Sequence, residues 1–297
     1  MLIQLLRSSI SSALPIATAA LGASFTQMVG KLNIAVEGTM LLACFVSVYV
    51  ADRLNSWLLG LLAALISSCI LSFSVWSLHR YFHANIFVVG LGVNVLVSGL
   101  VVLLSSTLLG SKGTIFFEKI PQLPVLRLNS SRSDGIGTLV SDYNALELIA
   151  IFAVLLSWIV VKTPLGLRMK AVGKNESVAK QLGLNVDTVA VSSFILCGLY
   201  CGLAGSLLAL PLGLFVSGMT NNRGWLALVA AVLGGDSPLG VFGVSLILGF
   251  AVTLSHRLQL KTNVPSEIAF AVPMILTLLV ALTYNVLTKA RKRGWYR

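Results

Sequence analysis

Long stretches of the chain contain no charged residue, and short polar stretches separate them. A helix that crosses the apolar part of a bilayer needs roughly 20 mostly apolar residues. The long uncharged runs are Ser8–Gly30, Leu54–Leu78, Ala84–Ser111, Val189–Asn222, Ser237–His256 and Ile268–Thr288. Because lipid offers the backbone no hydrogen-bond partners, runs of this length predict membrane-spanning α-helices.

Shorter apolar runs complicate the count of membrane segments. Gly38–Ala51 and Leu148–Val161 need one or two flanking residues to span, and Gly224–Gly235 is shorter still. The turn sequence Gly234–Gly240 follows, so we interpret Gly224–Gly235 as a short or partly re-entrant arm of a late hairpin. The pattern predicts an all-α fold, a polytopic transmembrane helical bundle of about nine membrane segments, in a single domain covering residues 1–297.

Composition agrees with a protein embedded in the bilayer. Hydrophobic residues make up 57% of the chain and charged residues 10%, whereas a soluble domain carries about 25% charged residues. The first apolar run, preceded by Arg7, could also be a cleaved secretory signal, but its length favours a first membrane helix. The four cysteines lie inside apolar runs, which indicates packing rather than a metal or redox site.

Basic residues cluster beside the apolar runs rather than along the whole chain. Five lie in Lys162–Lys180 and five in the tail 289–297, and the net charge is +11 at pH 7. Clusters of this kind are typical of cytoplasmic loops and not of a nucleic-acid interface. We therefore expect the connection 163–188 and the tail to be cytoplasmic, the loop 110–144 to be external and the N-terminus to lie outside.

The connection 163–188 contains the signals of a short helix. Asn175 can cap the helix N-terminus, Glu176 suits the positive end of the helix dipole, and Gly183 can end the helix in a left-handed conformation. The preceding membrane helix should end near Pro164. These signals predict a helix of about two turns, from Glu176 to the residue before Gly183.

Apolar residues would form one strip on this short helix: Val178, Ala179 and Leu182. A short helix with an apolar strip has a shape suited to a groove on a cytoplasmic partner. A helix that lies on lipid headgroups is the alternative, and the residues alone leave both interpretations open.

Four segments together resemble bacterial ABC importer permeases of the branched-chain amino acid, ribose and nucleoside superfamily. They are Asn33–Leu41, His83–Leu100, Thr163–Asn185 and Gly224–Gly240, which occur in the family's order and span most of the chain. The first, Asn-Ile-Ala-Val-Glu-Gly-Thr-Met-Leu, is similar to the signature of the nucleoside and simple-sugar branch. One departure stands just before it, where the family's charged stretch is reduced to Lys31.

The resemblance implies a permease subunit of an ABC importer in the bacterial inner membrane that moves nucleosides or simple sugars inward. Such a permease pairs with a second, similar chain over two cytoplasmic ATPase subunits, and a periplasmic or lipoprotein solute-binding protein delivers the solute. The connection 163–188 would be the coupling loop. Its expected coupling residues are Gly173, Asn175, Glu176, Val178, Ala179, Leu182 and Gly183.

Polar residues inside apolar segments are candidates for the solute path: Asn33, Glu37 and Asn94. A charge within the bilayer costs at least about 2.5–3.5 kcal/mol, so Glu37 should face the protein interior or an aqueous path. Glycines beside Asn33 suggest a broken helix, and broken helices often build sites near the middle of the membrane. The alternatives are that Glu37 caps a helix or pairs with Lys31, and that Asn94 joins two helices.

An ion-gradient-driven secondary transporter of a small polar solute is the alternative function. It would favour several acids within the membrane and inverted repeats, whereas Glu37 is the one good candidate acid and no repeat is evident. The chain lacks the G-x-x-x-x-G-K-[ST] phosphate loop and any membrane cluster suited to catalysis. We therefore expect a transport subunit without enzyme activity, cofactor or metal.

Overall fold

The computed structural model describes residues 2–111, 113–117, 119–126 and 143–261. Within these ranges the chain forms the helices α1 (Leu2–Met28), α2 (Val36–Leu54), α3 (Trp57–Tyr81), α4 (Ile86–Leu109), α5 (Ala145–Lys162), α6 (Pro164–Lys174), α7 (Glu176–Gln181), α8 (Val186–Ala209), α9 (Arg223–Gly234) and α10 (Pro238–Lys261). A 3₁₀ turn, Leu210–Leu212, follows α8. The predicted last membrane segment and the basic tail lie outside the described residues.

Two pairs of short antiparallel strands accompany the helices. β1 (Ile115–Phe116) pairs with β4 (Leu214–Phe215), and β2 (Val125–Leu126) pairs with β3 (Tyr143–Asn144). Three of these strands belong to the predicted external loop, whose residues 127–142 are outside the described part. The strands lie where α4 ends, α5 begins and α8 ends, so they connect these helices at one end of the bundle. The architecture of the bundle itself is all-α.

Helix α1 is the centre of the bundle. Of its most apolar window, 83% is buried, compared with 22% for α4. Alanines fill much of the buried face of α1 and let α8, α9 and α10 approach closely. Large aliphatic side chains on α3 and α4 instead face outward, among them Leu62, Ile66 and Val95. An outward apolar surface of this kind suits lipid or another membrane helix.

Six of the described helices are long and apolar enough to cross a membrane: α1, α3, α4, α5, α8 (continued to Leu212) and α10. The prediction of about nine segments is therefore not confirmed. Helix α2 has suitable length but carries charged residues near both ends, Glu37 at the start and Asp52 and Arg53 at the finish. The predicted short arm exists as the 12-residue α9, and the ninth predicted segment, Ile268–Thr288, lies outside the described residues.

Close packing of α8 against α3 depends on two glycines one helical turn apart. A Cβ atom on Gly198 would lie 2.6 Å from the Cα atom of Cys69, and one on Gly202 would lie 2.9 Å from the Cα atom of Leu65. Side chains at these positions would force the helices apart. The G-x-x-x-G spacing in α8 is therefore a packing motif.

Candidate functional site

A break in the helical path separates α1 from α2. Residues 29–35 are not helical, and Asn33 lies fully buried within them. The Asn33 side chain accepts a hydrogen bond from the backbone N–H of Ala35 (3.0 Å) and donates one to Ser72 Oγ on α3 (3.2 Å). The broken helix expected from the sequence is present, and Asn33 fixes its shape instead of facing an open path.

The start of α2 is capped by a side chain from another helix. Ala35 precedes α2 and has no side-chain acceptor, so the first N–H groups of the helix need partners from elsewhere. Asn94 of α4 supplies one, because its Oδ1 accepts from the N–H of Gly38 at 2.7 Å. Its Nδ2 donates to the carbonyl of Ile34 at 3.0 Å. Asn94 therefore joins two helices, which was the alternative to lining the path.

Glu37 of α2 caps the start of α9, as Asn94 caps the start of α2. Its Oε1 accepts hydrogen bonds from Thr220 Oγ1 (2.6 Å) and from the N–H of Asn222 (3.2 Å). Its Oε2 accepts from the N–H of Gly224 (2.6 Å). A carboxylate at a helix N-terminus satisfies unpaired donors and complements the helix dipole. Glu37 is thus the N-terminal cap of α9.

Only a glycine fits opposite this carboxylate. A Cβ atom on Gly224 would lie 2.6 Å from both the Cα atom and the Oε2 atom of Glu37.

The three residues predicted to line the solute path belong to one chain of contacts. Asn94 caps α2, Asn33 shapes the break before it, and Glu37 caps α9.

Removing the cap on α2 should measurably destabilise the protein. In an Asn94→Leu variant the Gly38 N–H and the Ile34 carbonyl lose their partner, and a buried polar group without a partner costs about 1–3 kcal/mol. We expect a lower Tm in detergent by fluorescence or calorimetry. Ser98→Ala, one turn further along α4, removes only a local bond to the Val95 carbonyl. An equal Tm for the two variants would contradict the capping role.

The predicted cytoplasmic connection contains two helices instead of one. The helix Glu176–Gln181 (α7) forms as expected, with the Asn175 side chain accepting from the N–H of Val178 at 3.1 Å. Gly183 follows it with a φ of +81°, a conformation that strongly favours glycine. The additional helix α6 was missed because Pro164 begins it: proline ends a preceding helix but is also favoured in the first turn of a new one.

The apolar strip expected on α7 is wrong in one respect. Ala179 faces the protein and is 2% exposed, whereas Leu182 is 76% exposed and Val178 46%. These residues therefore lie on two faces, an inner one that seats the helix and an outer one that presents two apolar side chains. Sequence spacing alone did not determine which face would turn inward.

The loop is seated directly against the break between α1 and α2. Gly173 packs so closely on Met28 that a Cβ atom there would overlap the Met28 carbonyl oxygen. Lys31 Nζ lies 3.6 Å from Glu176 Oε2. Lys31 thus pairs with the start of α7 and not with Glu37. A displacement of the loop would act on residues 28–31 and, through them, on the segment that holds Asn33.

A polar groove of about 680 Å³ runs beside this seat. It is lined by residues of α3, α7 and the start of α8, including His79, Lys180 and Gly183. Arg80 of α3 and Asp187 of α8 form an ion pair at one side of this groove. The Nε–Oδ1 and Nη2–Oδ2 distances are 2.7 and 3.0 Å. This two-point contact ties α3 to α8 where the loop returns to the bundle.

Sequence reasoning missed a second set of polar residues, at the opposite end of α5. Arg7 Nη2 donates to Glu147 Oε2 at 3.1 Å, and Ser11 Oγ donates to Glu147 Oε1 at 2.5 Å. Arg223 stands at the first position of α9. Single charges at the edges of apolar runs were interpreted only as boundaries. The one available signal was that acids are rare, with 10 in the whole chain.

Comparison with known proteins places these features in context. The family model described as "Branched-chain amino acid transport system / permease component" matches residues 5–282. The guanosine ABC transporter permease protein NupQ of Bacillus subtilis is 31% identical over 290 residues, which cover 91% of this chain and 88% of NupQ. NupP of the same organism, also named a guanosine ABC transporter permease protein, is 30% identical over 166 residues, covering 52% of this chain and 47% of NupP.

One solved structure has a similar fold. It is described as an inward-facing conformation of an ABC transporter of the metal-chelate type, and it matches with a TM-score of 0.50 and 16% identity. The match covers 93% of this chain and 85% of that chain. At this level of identity the likeness concerns the fold alone.

Proposed function

The chain belongs to the permease-component family of branched-chain amino acid transport systems, and from this membership and its similarity to a guanosine permease we propose that it conducts nucleosides inward as one half of the membrane channel of an ABC importer. Family membership confirms the resemblance drawn from the four sequence segments. The chain is a multi-pass membrane protein and a permease subunit of an ABC transporter. The comparisons give no support to the alternative of an ion-gradient-driven transporter.

The seating of the loop 163–188 supports a coupling role. Its inner side holds Gly173 and Glu176 against the helix break, and its outer side presents Val178 and Leu182 to the surroundings. An apolar pair on a short, capped helix suits a groove on a separate subunit. We assign that groove to a cytoplasmic ATPase subunit, so that ATP-driven movement of the loop displaces the break. This contact with the break is the observation on which the coupling proposal depends.

The orientation of the chain follows from this assignment. With the loop in the cytoplasm, the strands β1–β4 and the residues 110–144 lie outside, as does the N-terminus, and the tail 289–297 lies inside. A solute-binding protein, periplasmic or lipid-anchored, would then dock on the end of the bundle that carries the strands.

A nucleoside is the solute we favour. The relative that aligns over nearly the whole chain is named for guanosine, and the segment Asn33–Leu41 resembles the nucleoside branch. Two guanosine permeases of one organism align with this chain, which supports a paralogous permease as the second half of the channel. Sugars and branched-chain amino acids are the competing solutes, because one relative is named for glucose and the family model is described for branched-chain amino acid transport.

Uptake by the complete transporter tests both the driving force and the solute. Cells that express it should accumulate labelled guanosine, and unlabelled nucleosides should compete whereas ribose and leucine should not. Uptake should be lost when ATP is depleted and should resist an uncoupler when ATP is maintained. Uptake that is lost with the uncoupler at constant ATP would refute the ABC assignment, and competition by leucine or ribose alone would refute the solute.

A further inference from the structure

A cavity of about 670 Å³ opens on the side of the bundle opposite the coupling loop. Polar side chains line one part of it, among them Ser11, Glu147, Arg223 and His256. Apolar side chains from the end of α8 and the following turn line another part, for example Leu207 and Pro211. Small-molecule sites have this character, about 300–1,000 Å³ with apolar walls and a few placed polar groups.

Arg223 lines this cavity and makes little use of its hydrogen-bonding capacity within the described part of the chain. Its one hydrogen bond within the described part of the chain joins Nη1 to the carbonyl of Met219 at 3.5 Å, the limit of such an interaction. It forms no ion pair with any described residue. A guanidinium carries five N–H donors, so several are not engaged by the described residues and can serve a solute.

The position of Arg223 is also unfavourable for a positive charge whose role is only to stabilise the fold. It is the first residue of α9, where the helix dipole is positive and a cation is unfavourable. The oxygens of the nearby Glu37 are already engaged by Thr220, Asn222 and Gly224. A cation within a membrane bundle that has neither an ion pair nor a strong hydrogen bond to any described residue is a candidate for solute contact.

Glu147 is held in place at another part of the same cavity. Arg7 and Ser11 hold its two oxygens, and the backbone N–H of Asn144 donates to Oε2 at 3.0 Å. The Arg7–Glu147 pair is electrically neutral as a unit. The cavity therefore has a neutral, internally paired side at Glu147 and a donor side at Arg223.

We propose that this cavity binds the transported solute on its way inward, with Arg223 donating to acceptor atoms of a neutral nucleoside. The inference rests on the proposed function and assigns a place and a contact to its solute. A flat base fits against the apolar wall formed by Leu207 and Pro211, and the base edge and ribose hydroxyls offer acceptors to Arg223. A free phosphate would gain from Arg223 but would meet the Glu147 carboxylate.

Kinetics of guanosine uptake by the complete transporter test the contact. Arg223→Gln should raise KM about tenfold or more, as expected when a charged hydrogen-bond donor is lost from a binding site, and should change the maximum rate much less. Arg223→Lys keeps the charge and should give a smaller increase. Ser98→Ala, which removes only a local bond on the exposed side of α4 outside the cavity, is the control and should keep the wild-type KM.

Thiol labelling tests separately whether the cavity is the place where the solute binds. Ser12, which lines the cavity, is replaced by Cys in a transporter whose partly buried Cys69 is replaced by Ser. Guanosine should slow alkylation of the new thiol in the otherwise wild-type cavity. Ribose and leucine should not.

The possible outcomes separate this inference from the proposed function. Guanosine uptake with an unchanged KM in Arg223→Gln would overturn the role of Arg223 and leave the nucleoside function standing. Alkylation of the Ser12→Cys thiol at the same rate with and without guanosine would overturn the cavity as the binding place. A wild-type transporter that takes up ribose or leucine but no guanosine would refute the nucleoside assignment and, with it, the solute class proposed for this cavity.

Discussion

Replacing Glu37 by Ala is expected to remove most of the solute uptake by the assembled transporter. The substitution leaves the Thr220 hydroxyl and the N–H groups of Asn222 and Gly224 without their acceptor. Hydrogen bonds to a charged group contribute about 1.5–3 kcal/mol each, so uptake should fall by at least about tenfold. The initial uptake rate, normalised to the amount of permease in the membrane, measures the effect.

Matched variants separate the cap from a general loss of folding. Gly224→Ala should resemble Glu37→Ala, because its Cβ atom would lie 2.6 Å from Glu37. Gly92→Ala should behave like the wild type, since nothing lies within 4 Å of the added atom. Glu37→Gln keeps one acceptor oxygen and should be intermediate. Near-normal uptake in Glu37→Ala would show that α9 does not need this cap for transport.

Replacing Leu182 by Asp should separate the permease from the ATPase subunits. Leu182 is 76% exposed, so the change should leave the fold of the permease intact. A carboxylate forced into an apolar groove without a partner costs several kcal/mol, so we expect uptake and ATPase copurification to fall by about tenfold or more. Quantitative copurification in detergent, alongside uptake in cells, measures both.

Two further variants identify which face of α7 is responsible. Leu182→Met keeps an apolar side chain of similar size and should retain copurification and uptake. Ala179→Arg alters the buried face, so it should lower the thermal stability of the permease itself. Wild-type copurification in Leu182→Asp would show that the ATPase contacts another surface.

The two effects are linked by the contacts that the structure places in series. The loop touches the break through Gly173 and Lys31, and the break is shaped by Asn33. Helix α2 begins directly after it and carries Glu37 to the start of α9. In our proposal a movement of the loop therefore reaches the residues at the cavity through capping contacts between short or interrupted helices.

The sequence by itself determined the features that depend on neighbouring residues. Uncharged runs predicted most of the long helices, since helix formation in lipid depends on the composition of the segment itself. The cap at Asn175 and the left-handed position at Gly183 followed from local chemistry in the same way. Local chemistry was ambiguous only where one residue permits two outcomes, as Pro164 did when it ended α5 and began α6.

Only the tertiary structure decided which polar groups meet. Glu37 and Thr220 are separated by 183 positions, and Arg7 and Glu147 by 140, so no local pattern could pair them. Polar residues within an apolar bundle must find partners wherever the packing of the helices brings them together. The packing of α1, α2 and α9 therefore determined that Glu37 caps a helix and that Arg223 faces a cavity, whereas their places along the chain say nothing of these contacts.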